Sequence, residues 1–203
     1  MKNSKNEKNT KRLDMVNDTN SRERRSRSGI RLRLTGLALM ELVNIPLQAA
    51  IWFAVIGVPV TAGNALGFAL CAVLLVEGAA YWMAKLRQLA TGSAVLPGAR
   101  AFAAARWINV PLLAAGVLLT AWYASGTPGS VPGVLFALFA VLEHVNYFHT
   151  QLMYDTREDR RYRREHGLRR AHLARDLARA AQLRRRAAGV RGTPPPRTRR
   201  STP

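Results

Sequence analysis

Residues 34–58 read LTGLALMELVNIPLQAAIWFAVIGV, with one acid, no Lys or Arg, and apolar side chains on every face of a helical projection. A surface helix of a globular domain alternates polar and apolar faces every few positions. This run does not, and at about 1.5 Å per residue it is long enough to cross a hydrocarbon core of about 30 Å. Working outward, three more such runs follow: 63–84 (GNALGFALCAVLLVEGAAYWMA), 107–124 (WINVPLLAAGVLLTAWYA) and 131–154 (VPGVLFALFAVLEHVNYFHTQLMY). Pro46 and Pro111 fall inside the first and third, where neighbouring helices can absorb a freed carbonyl.

Charge is segregated just as sharply. Residues 34–84 and 107–156 contain no Lys or Arg, and all 31 basic residues lie in 1–33, 85–106 and 157–200. The link at 85–106 carries Lys85, Arg87, Arg100 and Arg106, whereas the links near 59–62 and 125–130 carry no charge. Basic loops stay on the cytoplasmic side, so four spans with both termini and the middle loop inside satisfy the pattern without exception. Trp82 and Trp107 then fall near the inner interface, Trp122 and Tyr123 near the outer one. The expected fold is all-α: a polytopic integral membrane protein of the plasma membrane, built as a four-helix transmembrane bundle over 31–156.

Residues 1–30, rich in Asn, Ser, Lys and Arg, lack apolar periodicity and are expected to be disordered. A cleaved signal peptide is not expected, since the first apolar run begins only after this polar stretch and exceeds the core of such a signal. Residues 157–188 are mostly Arg, Ala and Leu, good helix formers, and predict a cytoplasmic basic helix continuing the fourth span. Leu173, Leu177, Ala180 and Ala181 would share one face of it. Residues 189–203, GVRGTPPPRTRRSTP, read as a disordered Pro/Arg tail.

Three charged residues lie deep in the spans: Glu41, Glu77 and Glu143. Each is costly in hydrocarbon and should face the bundle interior. Helical spacing aligns Glu41 with Asn44 and Gln48, Glu77 with Tyr81, Lys85 and Gln88, and Glu143 with Asn146, Tyr147 and Thr150, flanked by His144 and His149. Glu41 is eight residues from Arg33, Glu77 eight from Lys85, and His149 eight from Arg157, so these groups should lie about 12 Å from the flanking charges. Asn109 falls near the inner mouth. Glu41, Asn44, Gln48, Glu77, Tyr81, Glu143, His144, Asn146, Tyr147 and His149 are therefore the candidate buried polar cluster. Such residues serve either as interhelical glue or as proton-handling groups.

Several chemistries are disfavoured. The lone Cys71 has no partner for a disulfide or a zinc site. His144 and His149 point about 140° apart on one helix and the other spans carry no histidine, which argues against bis-histidine haem. The Glu-x-x-His motif of di-iron bundles is absent, and there is no phosphate loop or catalytic Ser-His-Asp order. No cofactor or metal is expected, and an enzyme is disfavoured. The net charge of +19 points to anionic lipids, with Arg157, Arg160, Arg161, Arg163 and Arg164 as headgroup contacts. Nothing supports specific nucleic-acid readout. Three functions remain: an interaction or accessory protein with a membrane-protein partner or a second copy of itself, a proton- or cation-coupled transporter using Glu41, Glu77 and Glu143, and an intramembrane enzyme or metal-binding protein using Glu143, His144 and His149.

Overall fold

The computed structural model describes residues 28–153 and 157–191, with the side chains of 158, 159 and 189–191 excepted. The expected disordered stretches lie almost wholly outside these residues. Four helices are long and apolar enough to cross a membrane: α1 (Ser28–Val55), α2 (Ala62–Thr91), α3 (Ala99–Gly126) and α4 (Val131–Phe148). Two further, more polar helices follow, α5 (Arg157–His166) and α6 (His172–Arg191), and there is no strand among the described residues.

The apolar runs set the helices, and local chemistry sets their ends. α1 passes through Pro46 and widens into a π-helical last turn over Ala50–Val55, with Ile56 N–H reaching back to the Ile51 carbonyl at 2.8 Å. Thr61 caps α2 by accepting from the Asn64 N–H at 3.2 Å, and Gly92 ends it in the left-handed region at φ 65°. The basic link at 85–106 is mostly helical, extending α2 and α3 beyond their apolar runs and leaving residues 92–98 as the turn.

α2 packs on α3 and α4, and α3 on α4. Bilayer helices have no hydrophobic drive to associate, so close backbone approach matters more than apolar area. Gly63 and Gly67 on α2 face Gly133 on α4 so closely that a methyl group on Gly67 would collide with the Gly133 carbonyl. The core beneath them is Leu70, Leu74, Phe136, Ala137 and Ala140. α1 is peripheral: 6% of its most apolar window is buried, against 44% for α2. It is held by Trp52 and Phe53, whose rings meet Phe136 and Phe68 at 5.3–5.5 Å.

Asn64 pins one end of the bundle. It is fully buried, donates to the Pro59 and Gly129 carbonyls at 2.8 Å each, and accepts from the Gly133 N–H at 2.7 Å. One side chain thus ties the α1–α2 link to the α3–α4 link, with Thr61 and Ser130 hydroxyls sharing a bond of 2.9 Å beside it.

At the other end the sequence reading needs correction. The fourth span does not reach residue 154 or continue straight into a basic helix over 157–188. α4 stops at Phe148, and residues 149–153 are not helical. Their backbone groups find partners in the returning chain: Gln151 N–H donates to the Arg169 carbonyl at 2.8 Å, and Ala171 N–H to that of His149 at 3.1 Å. Gly167, at φ 77°, separates α5 from α6. α6 then folds back against α3 and α4, burying Leu173, Ala174 and Ala180. Ala181, assigned to that face from the sequence, is exposed.

Candidate functional site: a polar crevice beneath the folded-back helix

The in-span carboxyls each meet a hydrogen-bond donor: Glu41 and Glu143 lie together around Tyr147, and Glu77 is apart from them on Asn109. Tyr147 on α4 donates its hydroxyl proton to Glu41 Oε1 on α1 at 2.8 Å. The contact is possible because Gly78 lies where a side chain on α2 would strike the Tyr147 hydroxyl. Asn109 on α3, 2% exposed, donates to Glu77 Oε2 at 2.7 Å. Asn146 reaches Glu143 on its own helix at 3.5 Å, while its carbonyl oxygen accepts from the Leu152 N–H at 2.9 Å. Gln48 donates to Asn44 at 3.4 Å and accepts from the Trp52 indole at 2.9 Å, a ladder along α1.

The ten candidate residues therefore form several small networks. Glu41, Tyr81, Asn146 and Tyr147 come together around one crevice. Glu77 belongs to the α2–α3 contact, and Asn44 with Gln48 to α1. His144 is buried, its ring 4.9 Å from that of Phe148, and neither ring nitrogen has a partner among the described residues. His149, assigned to the buried set from the sequence, is exposed. No three His, Cys, Asp or Glu side chains converge as a metal-binding group among the described residues.

Two residues that the sequence reading passed over organise the site. Asp176, on α6, accepts from the Lys85 ammonium through both oxygens at 2.8–2.9 Å and from the Tyr81 hydroxyl at 2.9 Å. The Lys85 and Asp176 side chains are 27% and 16% exposed, so this clasp is largely sheltered. It fastens α6 to α2. Its only sequence signal is position: Asp176 is the one acid of α6 and lies between Leu173 and Leu177, on the inward face. Gln151, in the link after α4, is 7% exposed and lines the crevice that α6 covers.

That crevice encloses about 100 Å³ between α1, α2, α4 and α6. Glu41, Asn146, Tyr147 and Gln151 give it polar walls, Tyr81 and Trp82 aromatic ones, and Arg33 stands at the exposed rim. Outside the bundle, Arg157, Arg160, Arg161, Arg163 and Arg164 are all exposed on α5, where Arg161 pairs with Glu165 at 2.7 Å.

Compared with protein-family models, curated proteins and solved structures, the chain finds no match.

Proposed function

We propose that this chain is a small multi-pass protein of the plasma membrane, with both termini in the cytoplasm, that acts by interaction rather than catalysis. In this reading it is an accessory protein. Its basic cytoplasmic end contacts anionic inner-leaflet lipids, chiefly through the arginines of α5, and the bundle serves a membrane-protein partner or a second copy of the chain. One observation carries the reading. Glu41 and Glu77 each accept a hydrogen bond from a neutral donor on a neighbouring helix, Tyr147 and Asn109. A carboxyl so placed fixes helix register, which is the ordinary use of polar groups between membrane helices.

Glu41→Gln and Glu77→Gln test it, since an amide oxygen accepts the same bonds. Each variant is expected to insert and unfold like wild type, and the double variant to show the sum of two small effects. A large loss in either, or strong coupling between sites on different contacts, would show that the ionisable group itself matters.

A second reading, a proton- or cation-coupled transporter using Glu41, Glu77 and Glu143, is favoured by the crevice that reaches Glu41. Glu77, on a different helix contact, lies outside that crevice. The intramembrane enzyme or metal-protein reading draws no support from the separate placement of His149 and Glu143.

A further inference from the structure

Where α6 folds back beside α2, the start of α1 and the end of α2 complete an open cleft of about 480 Å³. Arg31 of α1 and Arg179 of α6 line it, both exposed and neither with a carboxylate partner among the described residues. Lys85 lines it too, but both Asp176 oxygens hold its ammonium at 2.8–2.9 Å, so that pair is close to neutral. The Gln88 amide oxygen is buried, which leaves N–H as what that side chain can turn to the space. Ser93 keeps its hydroxyl within its own turn, donating to the Val95 carbonyl at 2.7 Å and accepting from the Val95 N–H at 3.3 Å. No Asp or Glu among the described residues lines the cleft. The carbonyl end of α2 borders it at Gly92 and contributes about half a negative charge. Two arginines set against that half charge leave the cleft at about +1.5.

We propose that this cleft binds a phosphate group, that of an anionic phospholipid in the inner leaflet. The two guanidinium groups come from different helices, and each can present paired N–H donors to phosphate oxygens. The depth is that of lipid heads. Arg31 lies three residues before the first apolar run and Lys85 one after the second, about 4.5 Å and 1.5 Å beyond the ends of the hydrocarbon-spanning segments. Ile30 and Leu89, 48% and 45% exposed, add apolar wall. The glycerol ester and first acyl carbons of a lipid would cover it, whereas a bare phosphate ion would leave it in water. The fold-back of α6 makes the site: Arg179 stands three residues from Asp176, so the clasp that fastens α6 to α2 also brings in the second arginine. This site presupposes that the basic end meets anionic lipid, as proposed above, and adds one saturable position away from the arginines of α5.

The experiment uses the full chain in phosphatidylcholine nanodiscs, with the thermal unfolding midpoint read against an increasing fraction of phosphatidylglycerol. The midpoint should show a saturable step at low fraction, as expected when a ligand binds only the folded state, followed by a gradual rise from diffuse attraction. Arg31→Gln or Arg179→Gln should raise the half-saturating fraction about fivefold, the weight of one basic residue at an anionic surface. The two together should remove the step. Arg87→Gln is the control: it takes one charge from the same end of α2, is exposed, and does not line the cleft, so the step should stay. A second arm adds glycerol phosphate to nanodiscs of phosphatidylcholine alone and should leave the midpoint unmoved. If instead it gives the same step with the same dependence on Arg31 and Arg179, the phosphate site stands and its source is a soluble ester. No step, a step that survives the double substitution, or one that Arg87→Gln lowers equally would overturn the proposal. The wider lipid-contact reading fails separately, if Arg160→Gln with Arg164→Gln leaves the gradual rise as it was.

Discussion

Asp176 is a single carboxylate in an arginine-rich helix, and its charge holds that helix to the bundle. Asp176→Asn keeps the size and can still accept from Tyr81, but it leaves the Lys85 ammonium sheltered and unpaired. Because the pair is neither fully buried nor fully exposed, the cost should be about 1–3 kcal/mol, between the ranges for surface and buried ion pairs. The expected outcome is faster tryptic cleavage within 172–186, with cleavage elsewhere in the described bundle unchanged. Lys85→Met should largely cancel the effect, since it removes the stranded charge. Unchanged cleavage in Asp176→Asn would mean that Leu173, Ala174 and Ala180 alone hold α6. Sequence spacing aligned Tyr81 with Lys85, but it could not supply their partner. An acid among arginines reads as solvated charge until the chain is seen to fold back. Asn64 was hidden differently: it opens an apolar run, and its bonds to Gly129 and Gly133 are tertiary. For the in-span carboxyls, helical periodicity gave the faces. It could not say that Glu41 would meet Tyr147 while Glu77 met Asn109, because pairing depends on which helices are neighbours.

Among elements, the α2–α4 crossing depends on three glycines that leave no room for a β-carbon. Gly67→Ala should destabilise the bundle by about 1–3 kcal/mol, the usual cost of overpacking, although alanine is the better helix former. Gly126→Ala is the internal control. No atom lies within 4 Å of the added carbon there, so it should be neutral or slightly stabilising. Unfolding in detergent, followed by helical circular dichroism, separates the two. Equal behaviour would contradict the close crossing. The four long helices are legible from apolar run length alone, because lipid imposes a length and forbids charge. Their ends are not legible in the same way. α4 ends early because the backbone that follows it finds other partners: the Asn146 side chain for the Leu152 N–H, and the Arg169 carbonyl and Ala171 N–H of the returning chain for Gln151 and His149. α2 and α3 overrun their apolar segments because Lys, Arg and Ala support helix outside hydrocarbon as well as within it.

For the whole molecule, the separation of charge into three blocks does more than predict spans. It assigns sides. In the proposed arrangement the link at 92–98, the α6 clasp and the rim of the crevice all face the cytoplasm, while the Asn64 pin faces out. The structure supplies the four helices and their antiparallel links, but a bundle reads the same in either orientation, so the assignment rests on the basic residues. The account's central claim is thus most directly tested by topology. A reporter active only outside the cytoplasm is fused in turn after Val95, Thr127 and Pro195. Activity after Thr127 with silence after Val95 and Pro195 is the predicted result. Activity after Val95 and Pro195 with silence after Thr127 would contradict it, and would place the crevice and its clasp on the outer face.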